Sequence, residues 1–79
     1  MLHIERADYV ADYKIKVNFN DGFSSVVDFE ETLQQDSRPI VRKLLDLEQF
    51  QNFTISANTI LWAVGVDFAP EFVRSLASD

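Results

Sequence analysis

Six carboxylates are the residues of this sequence with the most chemistry on offer: Asp21, Asp28, Glu30, Glu31, Asp67 and Glu71. A hard cation such as Mg²⁺ or Ca²⁺ needs several oxygen ligands converging on one point, and these side chains supply them if the fold gathers them. Their spacing matches no calcium loop, and turn making, helix capping and solvation account for the same residues. His3 is the only histidine and there is no cysteine. Within one chain this leaves no His cluster, no Cys-type zinc site, no thiolate nucleophile and no nucleophile paired with a second His or a Cys. Ser24-Ser25 lies outside any Gly-x-Ser-x-Gly context and has no evident base to activate it. No catalytic residue, metal site or cofactor is therefore expected.

Binding chemistry is better represented. Trp62 could anchor a partner in an interface, or fill the core of a small domain. Lys14 and Lys16 stand two apart, with Arg38, Arg42 and Lys43 further on, so a small basic patch is conceivable. A charged strand face also serves simply as a solvated surface or as a guard against edge pairing.

The elements that must position these residues start with Tyr13 to Phe29. In Tyr13-Lys14-Ile15-Lys16-Val17-Asn18-Phe19 the odd positions are aromatic or β-branched and the even ones polar, the period-2 pattern of a strand with one buried face. Asp21-Gly22 supplies a tight reversal, since glycine tolerates positive φ and Asp bonds back to its own backbone. The return strand places Phe23, Val27 and Phe29 on one face with Ser25, and Ser24, Val26 and Asp28 on the other. Val26 breaks the alternation there.

Around this hairpin, Leu2 to Val10 reads as a short leading strand that turns at Ala11-Asp12. The acidic stretch from Asp28 to Asp36 contains no lysine or arginine and predicts a helical turn with Phe29 and Leu33 inward. Asp36-Ser37-Arg38-Pro39 is a helix start, with a cap and a proline in the first turn. Ile40, Val41, Leu44, Leu45, Leu47 and Phe50 then predict one amphipathic helix lying on a sheet. Thr54 to Val64 reads as a second hairpin turning at Asn58-Thr59 and ended by Gly65. Pro70 opens a short C-terminal helix with Phe72, Val73 and Leu76 facing the core. The expected fold is α+β over residues 1–79 as a single domain: an antiparallel sheet of two hairpins plus the leading strand, one amphipathic helix on one face, and the C-terminal helix.

The chain has 79 residues, 47% hydrophobic, with seven phenylalanines pointing to an aromatic core. Its formal net charge of −6 opposes attraction to phosphate backbones, so no direct nucleic-acid binding is expected. The opening residues become charged at Glu5 without an apolar stretch before it. No run approaches the roughly 18 apolar residues of a membrane span. The expectation is a cytoplasmic protein without a secretory signal.

The order of motifs resembles a family of small bacterial proteins, the domain-of-unknown-function 2442 family. The resemblance rests on Phe19-x-Asp21-Gly22, the strand end at Asp28, Leu44-Leu45-Asp46 followed by Phe50, Ile60-x-Trp62, and Gly65-x-Asp67-x-x-Pro70-Glu71. It spans nearly the whole chain and departs at Ala63-Val64, where the family more typically has a proline and a polar residue. It implies a small α+β fold with an antiparallel sheet and defines no catalytic residues. It also implies stand-alone proteins or modules ahead of a helix-turn-helix, often encoded beside another small protein in pairs proposed to be toxin-antitoxin systems. As far as Asp79 this sequence supplies no DNA-reading helix.

The expected function is a non-enzymatic interaction module that binds a protein partner, the product of a neighbouring gene, or itself as a homodimer through a sheet edge. Trp62, Asp67, Asp21, Lys14 and Lys16 are its candidate binding residues. The alternative is a ligand- or divalent-metal-sensing domain built on Asp21, Asp28, Asp67 and Glu71.

Overall fold

Alternation in the Tyr13–Phe29 stretch becomes the heart of a three-stranded antiparallel sheet in the computed structural model, which describes residues 1–77. Its strands are β1 (Ile4–Ala11), β2 (Lys14–Phe19) and β3 (Ser24–Asp28), in that order. Ile15, Val17 and Phe19 are buried while Lys14 and Lys16 are exposed, as the period-2 pattern requires. Register sets Val27 opposite Ile15 on the buried face and Val26 opposite Lys16 on the outer one. The β2–β3 reversal uses Gly22 at φ 90°, and Asp21 Oδ1 accepts a hydrogen bond from the Phe23 N–H at 3.1 Å.

The second hairpin, β4 (Phe53–Ser56) and β5 (Thr59–Trp62), forms its own two-stranded sheet. The expected single sheet is therefore divided in two, joined where the Ile4 N–H donates to the Asn58 carbonyl at 2.8 Å. The turn falls one residue earlier than expected. Ala57 and Asn58 both have positive φ, 51° and 69°, as in a two-residue type I′ turn whose twist suits the flanking strands. Thr59 is thereby drawn into β5, where its buried hydroxyl donates to the Phe68 carbonyl at 2.6 Å.

α1 (Glu30–Gln35) follows β3, with Phe29 and Leu33 buried as expected. The amphipathic helix expected from Pro39 is instead three short turns: α2 (Pro39–Arg42), a 3₁₀ turn (Lys43–Leu45) and α3 (Leu47–Phe50). The break is at Asp46, extended at ψ 116°, whose side chain caps the Glu48 N–H at 3.1 Å. The reason is geometric. At 100° per residue a straight helix would hold Phe50 about 180° from Val41, yet both are wholly buried. Restarting the helix at Asp46 turns Phe50 inward.

α4 (Pro70–Ala77) buries Val73 and Ala77, one turn apart. Phe72, expected in the core, is instead 41% exposed, because the stripe set by Val73 and Ala77 leaves it on the flank, its ring tilted over Phe68 at 5.4 Å. α4 lies against β3. Between the sheets sits an aromatic centre in which Trp62 meets Phe29 at 5.6 Å, Phe68 at 5.7 Å and Phe50 at 5.8 Å. Trp62 Nε1–H donates to the Phe50 carbonyl at 2.8 Å, so its one polar group is satisfied inside the core.

Candidate functional site

β3 is an edge of the larger sheet, with β2 its only strand neighbour among the described residues. Its ladder is bracketed by Phe19 N–H to the Phe23 carbonyl and Phe29 N–H to the Tyr13 carbonyl, both 2.8 Å. In an antiparallel ladder hydrogen-bonded pairs alternate, so Ser25 and Val27 point their backbone groups at β2 while Ser24, Val26 and Asp28 point theirs away. Among the described residues no backbone hydrogen bond reaches those three from outside the sheet, and the Val26 carbonyl accepts a long one, 3.5 Å, from the neighbouring Ser25 hydroxyl.

A groove of about 980 Å³ follows this edge between α1 and α4. Val26, Phe72 and Leu76 give it an apolar lining, and Asp28, Glu30, Glu31 and Asp36 give it four carboxylates with no lysine or arginine. Val26 is 49% exposed, so the valine and Phe72 together offer apolar surface beside a strand edge that no other strand covers among the described residues. The acidic wall is locally braced. Glu30 and Glu31 occupy the first turn of α1, where the helix dipole favours negative charge, and accept from Gln34 and Gln35 one turn on.

The basic residues of the α1–α2 connection are spent on holding it. Arg38 donates to Asp36 through Nη2 at 2.7 Å and Nε at 3.0 Å. This pairing, with the Arg38 backbone N–H, lowers the Asp36 carboxyl to about 2 and raises Arg38. Arg42 Nη1 donates to the Gln34 carbonyl at 3.0 Å at the end of α1. The patch imagined for Arg38, Arg42 and Lys43 is thus largely engaged with the chain itself.

The residues singled out in the sequence are scattered. Trp62 is 0% exposed and offers no surface to a partner in this conformation. Asp21 pairs with Arg74 at 2.9 Å, and that hydrogen bond lowers its carboxyl below the usual range. The same guanidinium lies over Phe23 at 4.0 Å and Phe19 at 5.0 Å, so Asp21 and Arg74 clasp α4 to the β2–β3 turn. Asp67 is exposed and its backbone bridges Leu61. Lys14 and Lys16 stand on the open outer face, opposite Asp28 and Val26, and among the described residues neither is in a salt bridge.

Asp21, Asp28, Asp67 and Glu71 do not converge: among the described residues no three Asp, Glu or His side chains stand close enough to share a metal ion. Val26, Phe72 and Leu76 are the site residues that sequence reasoning missed. One signal was present for the first, the break in alternation at Val26; the exposure of Phe72 left none.

A family model described as Protein of unknown function (DUF2442) matches residues 4–76. No curated protein matches the chain, and no solved structure matches it. The motif residues behind the resemblance have structural tasks here: Asp21-Gly22 make a turn, Asp28 accepts from the Glu30 N–H, Asp46 caps α3, and Trp62 centres the core.

Proposed function

The chain belongs to the DUF2442 family, and from that premise we propose that it is a non-enzymatic protein-interaction module that binds through the β3 edge. The family supplies no chemistry, so the reading rests on surface and geometry. One observation carries it: a regular strand with outward backbone donors and acceptors lies open in a groove with apolar sides. Such an edge is a template for an added strand, whose main-chain bonds give affinity and whose alternate side chains give specificity. The partner is another protein, the product of a neighbouring gene in the paired arrangement that the family resemblance implies.

The test is affinity capture of the tagged protein from its own host at near-native expression, with Val26→Pro as comparison. Proline at this outward-facing position removes no ladder bond but blocks a strand from pairing. A stoichiometric partner lost in the variant supports the reading. A clean preparation without partner, from a folded wild-type protein, sinks it. Lys14→Glu with Lys16→Glu asks in the same experiment whether the outer face contributes. No helix among the described residues is long and apolar enough to cross a membrane.

A further inference from the structure

Deepening that interaction reading, and resting on it, we infer that the β3 groove accepts an extended basic segment of the partner, a strand alternating apolar residues with lysine or arginine. Three properties of the site combine. The outward groups of Ser24, Val26 and Asp28 repeat at every second residue, the spacing at which an incoming antiparallel or parallel strand exchanges hydrogen bonds. Val26, Phe72 and Leu76, which line the groove together, receive the segment's apolar side chains. Asp28, Glu30 and Glu31 line the groove with no base among its lining, Asp36 beside them being already paired with Arg38, so the remaining side chains of the segment are matched by positive charge.

Charge also decides against a second copy as occupant. Another chain brings the same four carboxylates to the joint and the same formal net charge of −6. Like charges juxtaposed at an interface are a means of rejecting partners, not of holding them. A nucleic-acid strand is rejected by the same groove, because its phosphates would face the carboxylates.

The probe is a labelled peptide of about eight residues alternating valine and lysine, long enough to cover the five residues of β3. Its controls are the same peptide with glutamate for lysine and the same peptide N-methylated along one backbone edge. The expected result is saturable binding to the wild-type chain that slows amide exchange at Ser24, Val26 and Asp28. It weakens at least about tenfold with either control and with the chain's Glu30→Gln, Glu31→Gln double variant, and it falls as salt rises.

Equal binding of the glutamate peptide, protection appearing away from β3, or no binding at millimolar peptide each overturns the inference. The two readings fail separately. A captured partner that Val26→Pro abolishes, with no binding of the valine-lysine peptide, overturns the basic-strand inference and leaves the interaction module standing. An empty capture together with an inert peptide overturns both. Circular dichroism of each variant confirms that the sheet under the groove is intact.

Discussion

β1 and β3 are both edge strands of one sheet, yet only β1 carries the devices that keep an edge from pairing. β1 has register shifts between Ile4 and Arg6 and between Tyr9 and Ala11, and such irregularities twist an edge away from a straight partner. Glu5, Arg6 and Asp8 crowd it with charge, Arg6 and Asp8 pair at 2.8 Å, and its first residue is tied to the second hairpin through Asn58. β3 has a regular register, a valine at its midpoint, and a groove along it between α1 and α4. The contrast separates two uses of an edge within one small molecule: one closed by irregularity and charge, one left straight inside an acidic groove.

The largest effect tests what both edges rest on. Trp62→Ala removes the centre of the aromatic core and strands the Phe50 carbonyl, and should cost about 3–5 kcal/mol by denaturant unfolding. In a domain this size that is a large share of total stability, so both edges would be lost together. Trp62→Phe keeps most of the volume and should cost less than half as much. A tryptophan variant that left stability unchanged would mean the edges are held by something other than this core.

The next prediction addresses the contrast directly. Val26→Pro should weaken the alternating valine-lysine peptide by at least about tenfold while changing stability by no more than about 1 kcal/mol, because its outward N–H makes no ladder bond. Val10→Lys, at an exposed position of β1 beside a register shift, should leave peptide binding unchanged. Binding titrations and thermal melts of the two variants check this in parallel. If Val10→Lys proves the more damaging to binding, the two edges have been assigned the wrong way round.

A smaller effect is expected at the clasp. Arg74→Ala removes a guanidinium stacked on Phe23 and Phe19, worth about 0.5–1 kcal/mol, together with the pair to Asp21. Because α4 forms one wall of the groove, the variant should also loosen peptide binding modestly. Arg74→Lys, which keeps the charge without the planar stack, should recover only part of the loss in thermal melts.

Much of this architecture was legible in the sequence, because its cues are local. The alternation from Tyr13 to Phe19 gave the buried face of β2, and Asp21-Gly22 gave its reversal, each from adjacent residues. The helix expected from Pro39 was mistaken as one piece because Ile40 to Leu47 fit a helical spacing; only the need to bury Phe50 with Val41 exposes the break at Asp46, and that need is tertiary. Trp62 could be read as anchor or core, since no local pattern reports depth. The groove was not legible at all: its sides come from residues 25–36 and 72–77, and nothing in either segment announces the other. Its traces in the sequence were the valine that interrupts the β3 pattern and the run from Asp28 to Asp36 without a base.

The smallest prediction concerns pH at the groove's far end. Asp36 is held near 2 by Arg38, below its usual 3.8, so the folded chain binds this proton less readily than the unfolded one. The sign follows: stability from the pair is fully present above the unfolded value and drains away as pH falls from about 4 through about 2. Asp36→Asn should flatten that part of a stability-against-pH curve and lower stability at neutral pH, where the pair's contribution is fully present, by only the small amount of a solvent-screened pair, the gap to wild type closing as pH falls. Because the pair anchors the turn between α1 and α2, the same variant separates two roles for the groove's acids. A loss of stability at neutral pH that disappears in acid, with peptide binding unchanged, marks Asp36 as a brace, whereas weakened peptide binding at neutral pH adds it to the charges that meet the incoming strand.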